Sequence, residues 1–192
     1  MTDEPASVTA PRGVSLYNPA NLLTVVRIVL IPVFAVLVGV SGMTSVGWRM
    51  ASCLVFCVAS ATDFVDGWVA RRFHLVTSFG KVADPIADKA LTGTALVLLS
   101  LHDRLPWWVT GLILLREWGV TGLRFWVIRY GIIPASRGGK VKTALQIAAI
   151  AWYLWPVPAP ADAAGPWLMG AAVVATVVTG VDYVVQAIRM RR

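Results

Sequence analysis

Asp63-Phe64-Val65-Asp66-Gly67-Trp68-Val69-Ala70-Arg71, then eight residues, then Gly80-Lys81-Val82-Ala83-Asp84-Pro85-Ile86-Ala87-Asp88: this stretch decides both fold and chemistry. Its four carboxylates stand at the ends of two apolar runs. A charge at the edge of an apolar helix is costly unless something neutralises it. At 3.6 residues per turn, Asp63, Asp66, Gly67 and Ala70 share one helix face, with Arg71 at its edge. Asp84 and Asp88 are four apart and share a face of the next helix. The short connection makes the two helices antiparallel neighbours, so the four acids converge. Converging carboxylates suit hard cations such as Mg²⁺ or Mn²⁺. Two such ions can clamp a phosphoryl group during in-line displacement. Solvated acids paired with Arg71, Arg72, Lys81 and Lys89 would be the bland alternative. Four acids at helical spacing with small residues between them favour the functional reading.

Outward from this stretch the chain is apolar. Of its 192 residues, 57% are hydrophobic and 14% charged, whereas soluble domains carry about 25% charged residues. The composition predicts an all-α polytopic membrane protein. A spanning helix needs about 20 mostly apolar residues, and six segments qualify. They are Asn21–Val40, Gly47–Arg71, Pro85–Leu101, Pro106–Tyr130, Val141–Pro156 and Pro166–Ile188. Turn-forming residues separate them: Ser41-Gly42, His102-Asp103-Arg104, Ser136-Arg137-Gly138-Gly139, and the Pro/Ala-rich stretch from Pro156 to Pro166. Residues 1–18 are polar, contain proline and lack the apolar core of a signal peptide. They are expected to be a flexible cytoplasmic tail, with residues 19–192 as a six-helix transmembrane catalytic domain.

The net charge is +7. A nucleic-acid binder would gather its positive charges on a polar domain. Here they sit at the ends of apolar runs, which suits anionic lipids and substrates and argues against nucleic acid as a partner. Arg12, Arg71, Arg72, Lys81, Arg129, Arg137, Lys140, Lys142, Arg189, Arg191 and Arg192 fall on one set of connections. The opposite set holds little beyond Arg49 and Arg104. The positive-inside rule places both termini and the acid cluster on the cytoplasmic side. An even number of spans agrees. Cys53 and Cys57, four apart in an apolar run, read as small packing residues rather than a disulfide or metal site.

The remaining residues of the stretch have physical roles as well. Gly67 and Ala70 leave the helix surface bare, so a bulky ligand such as a nucleotide can approach. Arg71 offers a bidentate partner to phosphate. Gly80 allows close packing or ligand approach. The whole pattern, D-x-x-D-G-x-x-A-R-x₈-G-x-x-x-D-x-x-x-D, resembles the signature of the CDP-alcohol phosphotransferases. That resemblance implies a six-helix membrane fold, a homodimer, two divalent cations (Mg²⁺ or Mn²⁺) and a CDP-linked donor whose β-phosphate an alcohol attacks, releasing CMP. It also implies roles for single residues. Asp63, Asp66 and Asp84 bind metal, and Asp88 binds metal or acts as general base. Asn21, Thr24, Asp63, Gly67, Ala70, Arg71, Ser78 and Gly80 contact the CDP part.

Three flanking stretches resemble bacterial family members whose substrates are CDP-diacylglycerol and glycerol 3-phosphate. They are Asn18–Arg27 (close to P-N-x-L-T-x-x-R), Arg116–Arg124 (R-E-x-x-x-x-x-L-R) and Gly139–Gln146 (G-K-x-K-T-x-x-Q). In the first, Pro19 stands two positions before Asn21 instead of one. The resemblance implies phosphatidyl transfer at the bacterial cytoplasmic membrane, amid membrane lipids. The residues fit a phosphorylated acceptor: Arg116, Arg124, Lys140 and Lys142 lie near the same mouth, where Asn21, Thr24 and Arg27 also open helix one. Arg116 with Glu117 could instead be an internal ion pair, and Lys140 and Lys142 could reach out to lipid headgroups. Phosphatidylglycerol, inositol phosphate or serine as acceptor remain open, as does a divalent-cation transporter. A transporter would leave Gly67, Ala70, Arg71 and the basic residues unexplained. Asp182 in the last span is expected to be buried and paired. His74 and His102 fall in loops on opposite sides. Trp107, Trp108 and Trp167 read as interfacial anchors.

Overall fold

Residues 19–72, 78–127 and 137–189 are described in the computed structural model, and among them no strand occurs. Six α-helices account for nearly all of this: α1 Pro19–Ser41, α2 Val46–Arg72, α3 Ser78–Leu101, α4 Trp107–Val127, α5 Arg137–Leu154 and α6 Ala164–Arg189. A single 3₁₀ turn, Ala161–Ala163, precedes α6. Each of the six expected segments falls on a helix, with the largest correction at α3. The apolar span was expected to run from Pro85. The helix instead begins at Ser78 and carries Pro85 inside it. A proline within a helix frees one backbone carbonyl, which membrane bundles tolerate because neighbours re-satisfy it. α5 likewise begins earlier, taking Arg137, Gly138 and Gly139 out of the expected loop.

Neighbouring helices close into a ring in the order α1, α2, α5, α6, α4, α3, and α3 also reaches across to α2 and α5. The outer surface of this ring is apolar. Leu22, Val36, Leu54, Val58, Val174 and Val178 are exposed, and Trp167 is 82% exposed. Thr24, Arg27, Ser52, Asp66, Lys142, Gln146 and Thr176 are buried. Apolar residues outside and ionisable residues inside are the arrangement a bilayer imposes. Three helical segments, Asn21–Ser41, Val46–Asp66 and Ala161–Arg189, are long and apolar enough to cross a membrane. The others carry charges within their length: Asp84, Asp88 and Lys89 in α3, Arg116 and Glu117 in α4, Lys140 and Lys142 in α5. The chain is a membrane protein.

The half of the bundle away from the acids is an ordinary core. Phe34 of α1 meets Phe56 of α2 with ring centroids 5.8 Å apart, surrounded by Leu96, Leu99, Ile150 and Leu154. Cys53 lies buried there and Cys57 is exposed; both are free. Ser100 of α3 and Thr110 of α4 share a hydrogen bond of 2.7 Å. The two lone arginines of this end both serve as caps. Arg49 donates to the carbonyls of Tyr153, Leu154 and Trp155, the orphan acceptors at the end of α5. Arg104 donates to the Met43 carbonyl across the α1–α2 turn. In that turn Gly42 and Met43 both have positive φ, 51° and 57°. Asp182 corrects an expectation: it is exposed on α6 and accepts a 2.8 Å bond from Gln186 one turn on.

Arg49→Met removes three hydrogen bonds to carbonyls at the end of α5, two of them part-buried. It is expected to cost roughly 1–3 kcal/mol, read as a drop of several degrees in the detergent-solubilised protein's melting temperature. An unchanged melting temperature would show that water caps α5 equally well.

Candidate active site

Thr24 and Arg27 are three residues apart and therefore share a face of α1. That face turns inward against the ends of α2 and α3. Arg27 is fully buried, and its guanidinium bridges two acids: Nη1 donates to Asp63 Oδ1 at 2.5 Å and Nη2 donates to Asp66 Oδ2. Thr24 Oγ1 donates to Asp84 Oδ1 at 2.6 Å. Three of the four acids are thus held from one helix. Asp63 lies within electrostatic reach of Asp66 and Asp84, and Asp88 within reach of Asp63.

The bridge also gives Arg27, expected only to open helix one at this mouth, a definite partner set: it serves the acids. The signal was available: Asn21, Thr24 and Arg27 recur every three residues in an otherwise apolar helix, and all three are buried. Only which neighbour they face was not legible.

The donor set is all carboxylate oxygen, the chemistry of a hard divalent cation. Arg27 takes one oxygen from each of Asp63 and Asp66. Among the described residues, however, no three acids stand close enough to hold an ion as they are. The residues fit a divalent cation by the chemistry of their donors.

Beside the acids lies a second polar group. Asp88 is within electrostatic reach of Lys89, Glu117 and Lys142. Glu117 Oε1 accepts from Lys142 Nζ of α5 and, at 3.1 Å, from Arg116 Nη1. Arg116 Nη2 also donates to Thr179 Oγ1 of α6 at 2.9 Å. The arginine stem lies over Gly180, where an added Cβ would come within 3.1 Å of Arg116 Cγ. Arg116 thus makes the internal ion pair weighed in the sequence and locks α4 to α6. Lys142 is buried near the site, whereas Lys140 is exposed. The surroundings of Gly67, Ala70, Arg71, Ser78 and Gly80, and the Arg124 side chain, lie outside the described residues. So does His74.

A family model described as CDP-alcohol phosphatidyltransferase matches residues 17–178. The chain is similar to a probable phosphatidylglycerophosphate synthase of Mycobacterium tuberculosis, 48% identical over 172 residues, covering 90% of this chain and 82% of the relative. It is also similar to the CDP-diacylglycerol–glycerol-3-phosphate 3-phosphatidyltransferases of Salmonella typhimurium and Escherichia coli. Each of these is 38% identical over 174 residues, covering 87% of this chain and 93% of the relative.

Removing one partner of a buried charge cluster leaves the rest uncompensated. Arg27→Met in EDTA-treated protein is expected to lose roughly 3–5 kcal/mol of stability, with Arg27→Lys losing less. Melting curves at matched detergent concentration measure this. A neutral Arg27→Met would mean that the acids are balanced from elsewhere.

Proposed function

Because this chain belongs to the CDP-alcohol phosphatidyltransferase family, we propose that it transfers the phosphatidyl group of CDP-diacylglycerol to glycerol 3-phosphate, giving phosphatidylglycerophosphate and CMP. The observation that carries this reading is the juxtaposition at Asp88. On one side stand the carboxylates held by Arg27 and Thr24; on the other stand Lys89 and Lys142. A donor pyrophosphate and an acceptor phosphate need such adjoining regions. The names of the similar proteins from Mycobacterium, Salmonella and Escherichia support the same donor and acceptor.

In this reading all six helices cross the bacterial cytoplasmic membrane, residues 19–192 form the catalytic domain, and both termini and the site face the cytoplasm. The enzyme works as a homodimer. Asp63, Asp66, Asp84 and Asp88 would hold two divalent cations, Mg²⁺ or Mn²⁺, which when bound supply charge neutralisation to the pyrophosphate.

The chain's own residues do the rest. Asn21, Thr24, Gly67, Ala70, Arg71, Ser78 and Gly80 receive the CDP part. The small residues leave room, and Arg71 pairs with phosphate oxygen. Arg27 keeps Asp63 and Asp66 at a fixed separation. Asp88 takes the proton of the acceptor's 1-hydroxyl as its oxygen bonds to the β-phosphorus. The bond from that phosphorus to the bridging oxygen breaks, and CMP carries the bridging oxygen away. Arg124, Lys140 and Lys142 steer the acceptor phosphate. Arg116 contributes by holding Glu117 and α6. Positioning and charge compensation supply most of the rate.

Purified protein with CDP-diacylglycerol and Mg²⁺ or Mn²⁺ should release CMP when given glycerol 3-phosphate, but not with inositol phosphate, serine or phosphatidylglycerol. EDTA should abolish the release. CMP release with inositol phosphate alone would keep the reaction and change the acceptor. Asp88→Asn should lower kcat by roughly 10²–10⁴-fold, and full activity in that variant would remove Asp88 from the chemistry.

A further inference from the structure

Between α3, α4 and α5 lies a small cavity of about 10 Å³, lined among others by Lys89, Glu117, Lys142 and Gln146. It holds room for about one water, and the free space around it, open to solvent, is about 380 Å³. Asp88 is within electrostatic reach of three of these residues, so the cavity adjoins the acid cluster. Gln146 is only 2% exposed, yet among the described residues its side-chain Nε2 has no hydrogen-bond partner. Buried amide donors are nearly always paired. An unpaired one beside two ammonium groups is a donor held for something that enters.

We propose that this cavity is the acceptor subsite, and that Gln146 reads an uncharged hydroxyl beside the attacking one. The inference rests on the phosphatidyl-transfer reading above and names residues that fix its acceptor. Lys89 and Lys142 are the charged donors and take the phosphate. Lys142 has three N–H donors, and one of them is bonded to Glu117. Glu117 is thus an internal stand-in for the phosphate. It holds Lys142 across the α4–α5 gap and keeps the cavity at the size of a water. An arriving phosphate, with more negative charge than a carboxylate, takes Lys142 over. Glu117 then remains paired with Arg116, and the gap widens. Gln146, neutral and donating, suits the hydroxyl that glycerol 3-phosphate carries between its phosphate and its nucleophile.

The test compares glycerol 3-phosphate with propane-1,3-diol monophosphate, which keeps the phosphate and the attacking hydroxyl and lacks the middle one. Full-length protein in detergent with CDP-diacylglycerol is assayed for CMP release. The wild type should prefer glycerol 3-phosphate by roughly 100-fold or more in kcat/KM, as sites built around a substrate hydroxyl do. Gln146→Leu should bring the two acceptors within about tenfold of each other, mostly by raising KM for glycerol 3-phosphate, with KM for CDP-diacylglycerol unchanged. Gln146→Met, nearly isosteric, gives the same readout if the leucine variant fails to fold. A preference that survives in both variants, with both acceptors falling equally, would overturn the proposal and leave Gln146 a packing residue bonded to water. A wild type indifferent to the middle hydroxyl would overturn it too. A wild type that releases no CMP with either acceptor would instead overturn the phosphatidyl-transfer reading, and this inference with it.

Discussion

Everything at the polar end of this bundle depends on one buried cation. The Arg27 guanidinium, with no exposed surface, lies between Asp63 and Asp66. Desolvating an arginine and two carboxylates costs several kcal/mol per ion, and mutual attraction offsets that only when the geometry is good. Here each Nη meets a different acid, so one residue of α1 fixes the spacing of two residues of α2. Thr24, one turn earlier, fixes Asp84 of α3. The three helices that build the site are therefore tied together by the charges that make it chemically useful. The extensive packing of α1 along α2 keeps that tie away from lipid.

The same logic shapes the rest of the ring. Lipid outside offers polar groups nothing to bond, so every charge must find a partner inside or reach the rim. Arg49 and Arg104, at the end away from the acids, bond backbone carbonyls at helix ends and turns. Arg116 and Lys142 converge on Glu117, joining α4, α5 and, through Thr179, α6. The two ion clusters tie helices together at one end: Arg27 joins α1 to α2, and Glu117 joins α4 to α5, which are not neighbours in the ring. Asp88 of α3 stands within reach of both, in the helix that crosses the ring.

Much of this was legible in the sequence because helical spacing is rigid. Asp63 with Asp66, and Asp84 with Asp88, had to share faces, and a short connection had to bring the pairs together. The six apolar runs and the inward charges followed from the cost of burying polar groups in lipid. What was not legible was pairing between distant segments. Nothing in the spacing of Arg27 says that it meets Asp63 rather than a substrate phosphate, since both offer oxygen to a guanidinium. Likewise Glu117 and Lys142 are 25 residues apart, and only the packing of α4 near α5 joins them. The start of α3 was misplaced because proline suits a helix start and a membrane interior alike. Gln146 stood in the sequence as one letter of a stretch. Its significance lies in its amide Nε2, which has no partner among the described residues, and spacing alone does not show that.

These two clusters also explain how a site for highly charged ligands can exist in a folded chain before any ligand arrives. Four carboxylates beside two ammonium groups, one buried and one half-buried, would be unstable if each sign stood alone. The chain places a cation among the acids and an anion among the cations: Arg27 for the first, Glu117 for the second. Each internal partner is univalent, while the proposed ligands, divalent cations and a phosphate, carry more charge. The exchange is therefore favourable in the direction of loading. It does not require the internal partners to leave, because Arg27 binds one oxygen of each acid, and Glu117 keeps Arg116 when it yields Lys142. The site can then relax to its self-compensated form once product departs. On this argument the charges beside Asp88 hold the empty fold together and also set the order of affinities that draws substrates in.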